Sequence, residues 1–463
     1  MLFSNGKVQG LTVAYIGGGS RGWAWGFMKD LAMDEQMNGV VRLYDIDQEA
    51  AEKNKRIGDM ISAHPDAKTH WRYEVSLTLK EALTGADFVV ISILPGTFME
   101  MRSDVHLPEA YGIWQPVGDT VGPGGLIRAM RTVPMYVEIA EAIRDYAPGA
   151  WVINYTNPMT VCMRTLYKVF PDIKAFGCCH EVFGTQKLLA AMLEDLEGVQ
   201  GVNRTEISTG VTGINHFTWL YSASYQGYDL FPMYRRFVDK YYETGFIKGK
   251  DNNWMNNSFE CSHRVKFDLF RRYGLIAAAG DRHLAEFMPP WYLKNPETVH
   301  SWGFGLTTVT WREEDLKKRI SRREAILSGA EPVQLDGSGE EGHLLMKALL
   351  GLGDMVSNVN IPNRGQVENL PSGAVVETNA LFRRNEIAPI FAGTLPAGVD
   401  ALVTRHVLNQ EAIVMAGMNC DKEAALNAFL HDPQLSQLGP EDGERLFAQM
   451  IENTKAYLPK EWH

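Results

Sequence analysis

The stretch from Leu11 to Gly22 reads LTVAYIGGGSRG and decides the class of fold. Its apolar run predicts a short strand that stops at the glycines, and the spacing of apolar residues over Trp23–Met33 predicts a helix after them. Gly17, Gly19 and Gly22 match the G-x-G-x-x-G pattern in the context that the pattern requires, a strand before it and a helix after it. Such a turn lets the backbone and a helix N-terminus approach a pyrophosphate closely. The stretch therefore predicts a dinucleotide site.

An acidic residue after the second strand indicates which dinucleotide is bound. The apolar run Val40–Tyr44 ends at Asp45, where a carboxylate accepts hydrogen bonds from the adenosine ribose and repels a 2′-phosphate. NAD is therefore favoured over NADP. Further contacts are expected at the ends of later strands, which meet at the same edge of a parallel sheet. The predicted cofactor-binding residues are Gly17, Gly18, Gly19, Ser20, Arg21, Asp45, Ile93, Pro95 and Asn154.

Strand and helix patterns alternate through the first 197 residues. The run DFVVISIL at 87–94 is apolar without interruption, which is typical of a strand buried on both faces of a parallel sheet. We predict an α/β fold with a doubly wound parallel sheet of the Rossmann type in residues 1–197. The pattern changes after residue 198, and a second α+β domain is predicted for residues 198–463.

Composition excludes several classes of partner. The chain has 463 residues and a formal net charge of −11, with no long basic run, which argues against nucleic-acid or anionic-membrane binding. No apolar stretch is long enough for a membrane span. Five cysteines, two of them adjacent, are not a disulfide framework and favour a reducing, cytoplasmic location.

Two residues stand out as metal ligands. The thiolate of Cys179 and the imidazole of His216 are donors that hold divalent transition metals, although no short spacing joins them. On sequence alone, packing in the core explains both residues equally simply. Asn157, before Pro158, offers an amide to a substrate or merely forms a turn.

Several motifs, in order along the chain, resemble those of glycoside hydrolase family 4. They are Gly17–Ser20, Gly118–Gly125, Asn154–Pro158, Cys179–Val182, Gly213–Phe217, Asn363–Gly365 and Leu370–Glu377. The resemblance implies a glycosidase that depends on NAD and Mn²⁺, a first domain like that of lactate and malate dehydrogenases, and a homodimer or homotetramer. It also implies a reaction by oxidation at C3, loss of the C2 proton, elimination, addition of water and re-reduction, an exception to two-carboxylate hydrolysis.

The resemblance also assigns roles to individual residues. It makes Cys179 and His216 the metal ligands, His180 the general acid, and Asn157 and Asp119 substrate contacts. Asp281 is the expected base at C2, with His283, otherwise a substrate contact, as the alternative. Arg102 and Arg282 are the candidates for binding a substrate carboxylate.

The four residues Cys179-His180-Glu181-Val182 resemble the α-galacturonidase branch of the family. That branch implies an exo-acting enzyme that releases galacturonic acid from pectin-derived oligomers. Alternatives on the same machinery are α-glucuronidase, α-glucosidase and α-galactosidase. Outside the family, the alternatives are a 2-hydroxy-acid dehydrogenase, which has no need of the Cys179/His216 pair, and a non-catalytic NAD-sensing protein.

Overall fold

A computed structural model describes residues 1–247 and 261–462. The strands of the first 197 residues are β1 (Leu2–Ser4), β2 (Lys7–Ile16), β3 (Met37–Tyr44), β4 (Arg72–Ser76), β5 (Phe88–Ile91), β6 (Trp151–Asn154) and β7 (Lys174–Gly177). The helices between and after them are α1 (Trp23–Met33), α2 (Gln48–Ser62), α3 (Leu79–Leu83), α4 (Phe98–His106), α5 (Gly122–Tyr146), α6 (Met159–Val169) and α7 (Glu181–Glu197).

Six of these strands form a parallel sheet in the order β4-β3-β2-β5-β6-β7. This is the strand order of dinucleotide-binding sheets, in which ligands bind where the order reverses, here between β2 and β5. All four residues of β5 are buried, as expected for a strand covered by helices on both faces. The predicted α/β fold is confirmed.

The second half contributes strands to two sheets. Its strands are β8 (Ile207–Ile214), β9 (Phe217–Tyr225), β10 (Tyr228–Asp229), β11 (Ile276–Ala277), β12 (Met355–Pro362), β13 (Val375–Arg383) and β14 (Glu386–Pro389). Its helices are α8 (Phe231–Tyr241), α9 (Arg264–Tyr273), α10 (Asp281–Phe287), α11 (Pro296–Ser301), α12 (Val309–Leu327), α13 (Gly342–Leu350), α14 (Ala397–Asn419), α15 (Lys422–Leu430) and α16 (Pro440–Thr454).

The sheet of the first half continues into the second half. Strand β12 pairs antiparallel with β7 through Asn360 and Gly177, and β13 and β14 follow it. The rings of Phe176 and Phe382 meet edge to face at 5.1 Å inside one shared core. This sheet therefore contains strands from both sides of the predicted domain boundary at residues 197/198. Among the described residues no helix is both long and apolar enough to cross a membrane.

A buried ion pair joins α4 to α5. Arg131 donates to both carboxylate oxygens of Asp104 at 3.0 and 2.6 Å, and to Thr454 of α16 at 2.9 Å. Both side chains of the pair are only 1% exposed. Removing the carboxylate of Asp104 would therefore leave the buried guanidinium of Arg131 without a counter-ion.

Asp104→Asn is expected to lower the free energy of unfolding by about 3–5 kcal/mol, because the amide leaves the guanidinium without an anion. Urea denaturation followed by circular dichroism measures the loss. The control is Asp145→Asn, which breaks an exposed pair with Arg144 and should cost under about 1 kcal/mol. Equal stability of the two variants would contradict this role.

Candidate active site

The glycine turn between β2 and α1 requires residues without side chains. Gly17 has φ +94°, and a Cβ there would collide with the carbonyl of Ser92. A Cβ on Gly19 would lie 2.9 Å from the Asp45 carboxylate. The N–H groups of Gly17 and Gly18 both donate to the Tyr44 carbonyl at 2.9 Å, which ties the turn to the end of β3. The glycines thus let the turn pack directly against Ser92 and Asp45, in the tight conformation that a dinucleotide-binding turn requires.

The predicted ribose ligand Asp45 faces this turn. Its carboxylate accepts the N–H of Gly19 at 2.8 Å and that of Asp47 at 2.9 Å. Sequence reasoning missed Asn54, a buried α2 residue whose amide donates at 2.8 Å to the carbonyls of Gly18 and Ser20. No motif marks Asn54, because its role depends on how α2 packs against the turn.

Other predicted cofactor residues have different surroundings. Arg21 pairs with Asp47 at 2.9 Å, and the Ile93 N–H donates to Thr156 Oγ1 at 3.0 Å. Pro95 is buried. The Asn154 side chain is fully buried, accepts the Tyr136 hydroxyl at 2.5 Å and donates to the Thr156 carbonyl at 3.1 Å. Asn154 therefore links the end of β6 to Tyr136 and Thr156.

Three donors gather near the ends of these strands. One ligand atom each of Asp119, His216 and His283 lies within 4.8 Å of the other two. The two imidazoles stack at 3.7 Å, and Thr120 Oγ1 lies 2.8 Å from both Asp119 Oδ1 and His216 Nδ1. We call these three residues the donor group. Such a set of a carboxylate and imidazoles suits a divalent transition metal.

Electrostatics keep the donor group in metal-binding protonation states. Burial, followed by the charge of His283, lowers the pKa of His216 to about 3, so its imidazole is neutral. Burial acts to raise the pKa of Asp119, but His283 and Arg128 outweigh it and hold that pKa well below its usual range. His216 also has φ +62°, in the two-residue turn between β8 and β9, which directs its ring inward.

Cys179 follows β7 and is buried, but it is not a member of the donor group. Burial, together with Glu377 and Glu181, raises the pKa of its thiol well above the usual range, and Asn215 is its hydrogen-bond partner. The same Glu181 lies 3.4 Å from His283, so it links the thiol to the donor group. Without a cation nearby the thiol stays protonated.

His180 is half open to solvent, with a side chain that is 54% exposed. Its Nδ1 lies 3.0 Å from Glu340, and this hydrogen bond raises the pKa of His180 above its usual value. The ring is therefore an imidazolium over a wider pH range than a free histidine, as a proton donor should be.

Asp281 and His283 point in different directions, because residues two apart on a helix lie about 200° around its axis. His283 belongs to the donor group and faces His216 and Asp119. The Asp281 carboxylate instead accepts the N–H groups of Val265 at 3.2 Å and Lys266 at 3.1 Å, at the start of α9. It is fully buried, and burial raises its pKa to about 6. The structure thus separates Asp281, the expected base, from the donor group.

Of the remaining residues predicted to contact the substrate, one borders the donor group and two have partners elsewhere. Asn157 Nδ2 lies 3.5 Å from Asp119, so it borders the donor group, and its carbonyl accepts Arg128 Nε at 3.1 Å. Arg102 is partly exposed and pairs with Glu313 at 3.0 Å. Arg282 donates to Thr307 Oγ1.

Two acidic residues were not singled out from sequence. Glu181 accepts the N–H of Gly280 at 2.7 Å in addition to its contact with His283. Glu286 accepts the N–H groups of Val117 and Gly118 at 2.7 and 2.8 Å and so fixes the loop that carries Asp119. Glu181 stands inside a quoted motif, whereas only tertiary contacts reveal Glu286.

Comparison with known protein families assigns the chain to one of them. The model of the family 4 glycosyl hydrolases matches residues 12–195, and that of the family's C-terminal domain matches residues 211–435. The chain belongs to glycoside hydrolase family 4. This family 4 hydrolase is 60% identical over 459 residues to an α-galacturonidase of Thermoanaerobacterium saccharolyticum, covering 99% of this chain and 98% of that protein. It is 58% identical to an α-galacturonidase of Lachnoclostridium phytofermentans over 466 residues, covering 100% of both.

Solved structures agree with the fold of this family 4 hydrolase. The crystal structure of lplD from Bacillus subtilis is 53% identical and superposes with a TM-score of 0.91, covering 96% of this chain and 100% of that one. A 6-phospho-α-glucosidase from gut microorganisms, solved with NAD and Mn²⁺, is 20% identical with a TM-score of 0.81, covering 97% and 99%. At that identity the second likeness concerns the fold alone.

Proposed function

We propose that this family 4 hydrolase is an exo-acting α-galacturonidase that releases galacturonic acid from short pectin-derived oligomers. The observation that carries the proposal is the donor group of Asp119, His216 and His283, linked to Cys179 through Glu181. The relatives named α-galacturonidase, which include a 53% identical Bacillus subtilis protein aligned over 97% of this chain, support a galacturonide over other α-glycosides.

The residues of the candidate site fit NAD⁺ and a divalent metal ion, the two groups that this chemistry needs. The glycine turn has the tight conformation that brings the backbone close to a pyrophosphate, and Asp45, beside Gly19, is placed to accept hydrogen bonds from a ribose. Cys179 and His216, with the neighbouring Asp119, are donors of the kind that Mn²⁺ and similar ions accept. Bound at the glycine turn and Asp45, NAD⁺ would supply reversible hydride transfer with the sugar, and a divalent metal held by Cys179, His216 and Asp119 would supply Lewis-acid polarisation of the substrate oxygens.

His283 and Glu181 form the base in this proposal. In this proposal the carboxylate of Glu181 accepts a hydrogen bond from Nε2–H of His283, so that Nδ1 can accept a proton. That Nδ1 is buried and has no hydrogen-bond partner among residues 1–247 and 261–462. A ketone at C3 makes the C2 proton acidic, and Nδ1 removes it, leaving an imidazolium beside the Glu181 carboxylate. His283 thus takes the role that the resemblance gave first to Asp281.

His180 supplies the proton that the leaving oxygen needs. Its imidazolium, held by Glu340, donates to the glycosidic oxygen as the bond from C1 breaks. The open side of this residue leaves room for an oligomeric leaving group. The neutral His180 then accepts a proton from the water that adds to C1, while the imidazolium of His283 returns a proton to C2. Asp119 and Asn157 accept and donate hydrogen bonds to the sugar hydroxyls.

Turnover of 4-nitrophenyl α-D-galacturonide, with the α-glucuronide and α-galactoside beside it, tests the proposal. We expect hydrolysis of the galacturonide only when both NAD⁺ and Mn²⁺ are added, with no net growth of absorbance at 340 nm. Hydrolysis of the α-galactoside alone would instead indicate a branch of the family that acts on neutral sugars. Stoichiometric reduction of NAD⁺ by malate or lactate would instead favour a dehydrogenase.

Asp45→Ser is expected to weaken NAD⁺ binding by about 10–100-fold, because a charged acceptor for the ribose is lost. NADP⁺ binding should strengthen, since the repulsion of its 2′-phosphate disappears. Isothermal titration calorimetry with each cofactor measures both changes. Asp66→Ser, at an exposed position, is the control. An unchanged preference for NAD⁺ would contradict the role of Asp45.

The reducing cytoplasm is the proposed location, because a thiolate ligand at Cys179 is lost on oxidation. The proposed assembly is a homodimer or homotetramer, as in the family. Light scattering coupled to size exclusion, on the enzyme with NAD⁺ and Mn²⁺, reports the assembly directly.

A further inference from the structure

Arg312, in the first turn of α12, has a buried guanidinium nitrogen without an acceptor. Its Nε makes no hydrogen bond, and the side chain forms no ion pair within the described residues. Other arginines of the same helix are partnered: Arg322 with Glu331 at 2.8 Å and Arg323 with Glu324 at 3.0 Å. Buried donors are nearly always satisfied in proteins, so an unused one next to a catalytic group indicates a ligand.

The start of α12 is fastened to the loop that carries Asp119. The N–H of Thr307 donates to the Pro116 carbonyl at 3.0 Å, and the hydroxyl of Thr308 accepts the N–H of Trp311 at 3.2 Å to begin the helix. The guanidinium of Arg312 and the carboxylate of Asp119 therefore act on each other electrostatically. Arg312 consequently borders the donor group without belonging to it.

Other cations near the site already have partners. Arg102 pairs with Glu313 at the surface, Arg282 donates to Thr307, and Nε of Arg128 donates to the Asn157 carbonyl. The anionic neighbour Asp315 is paired with Arg319 at 2.7 Å. Arg102, Arg282 and the Nε of Arg128 thus have partners, whereas the Nε of Arg312 has no acceptor among the described residues.

We propose that Arg312 binds the carboxylate of the galacturonide and so determines the preference for uronic acids. The inference rests on the proposed function. The carboxylate is carried on C5, across the ring from C2 and C3, so its cation should lie beside the donor group rather than within it. A guanidinium matches a carboxylate with parallel, charge-assisted hydrogen bonds. Its place in the first turn of a helix also favours an anion. A protein of net charge −11 thus holds its attraction for an acidic sugar inside the site.

Arg312→Met, Arg312→Lys and the control Arg322→Met test this assignment on the enzyme loaded with NAD⁺ and Mn²⁺. For Arg312→Met we expect kcat/KM for 4-nitrophenyl α-D-galacturonide to fall by about 100-fold, mainly through KM. Inhibition by galacturonic acid should weaken as strongly, whereas inhibition by galactose should change less than about threefold. Arg312→Lys should be intermediate, since a lysine keeps the charge but not the paired geometry.

Three readouts keep the result clear. Thermal midpoints and NAD⁺ affinity identify a variant that merely misfolds, and Arg312→Lys then carries the test. Wild-type kinetics of Arg312→Met on the galacturonide, or equal weakening of inhibition by both sugars, would overturn the assignment. If the wild-type enzyme itself does not turn over the galacturonide, the proposed function fails instead.

Discussion

Cys179→Ser is expected to lower turnover by about 1,000-fold or more while NAD⁺ binding survives. The sulfur of Cys179 is buried and close to Asn215 and Glu377, where a neighbouring cation is needed to form the thiolate. A serine hydroxyl ionises far less readily and is a poor replacement for a soft donor. The metal is therefore lost, although the shape of the site is nearly unchanged.

Mn²⁺ titration by calorimetry, NAD⁺ titration and steady-state kinetics separate the effects of this variant. The matched control is Cys178→Ser, one residue earlier, because Cys178 is a partly buried neighbour that has no role in the proposed site. Cobalt substitution adds a spectroscopic test, since a thiolate bound to Co²⁺ gives a charge-transfer band that Cys179→Ser should lack. Wild-type turnover in Cys179→Ser, or loss of NAD⁺ binding with an unchanged thermal midpoint, would contradict the assignment.

The fold was predictable where local sequence carries the cause. Strand β5 is apolar on both faces, and Gly17–Gly19 stand where a side chain would strike the backbone or Asp45. The continuation of the sheet by β12 was not predictable in this way. It pairs with β7 across more than 180 residues of chain, as Gly177 and Asn360 show, and no local pattern records that partner.

The site shows the same limit. The resemblance supplied Cys179, His216 and Asp119; the structure brings Asp119 and His216 together at Thr120, and Cys179 interacts with Glu181. The resemblance did not supply Arg312, because the role proposed for this arginine depends on its neighbours in the folded chain and not on a local motif. Asp281 and His283 show the limit most clearly. They stand two residues apart in one short helix, and only the packing of α10 decides which of them faces the sugar.

His283→Gln is expected to lower kcat by about 1,000-fold, the range in which general bases act. It should also stop exchange at C2. In D₂O the wild-type enzyme should release galacturonic acid with deuterium at C2. The reason is that the proton that His283 removes exchanges with the solvent before C2 is protonated again. In Asp281→Asn the amide oxygen still accepts a backbone N–H of α9, so we expect a loss of about 1 kcal/mol of stability with exchange retained.

The two variants must also be compared in metal affinity, because His283 lies within reach of the ligand atoms of His216 and Asp119. Mn²⁺ binding that stays within about threefold of wild type, together with lost exchange, identifies His283 as the base. Mn²⁺ affinity that falls in step with kcat would make it a ligand instead. Exchange abolished by Asp281→Asn and retained in His283→Gln would return the role to Asp281, and α10 would then have to turn by about half a rotation when substrate binds, since one face of a helix cannot present both residues.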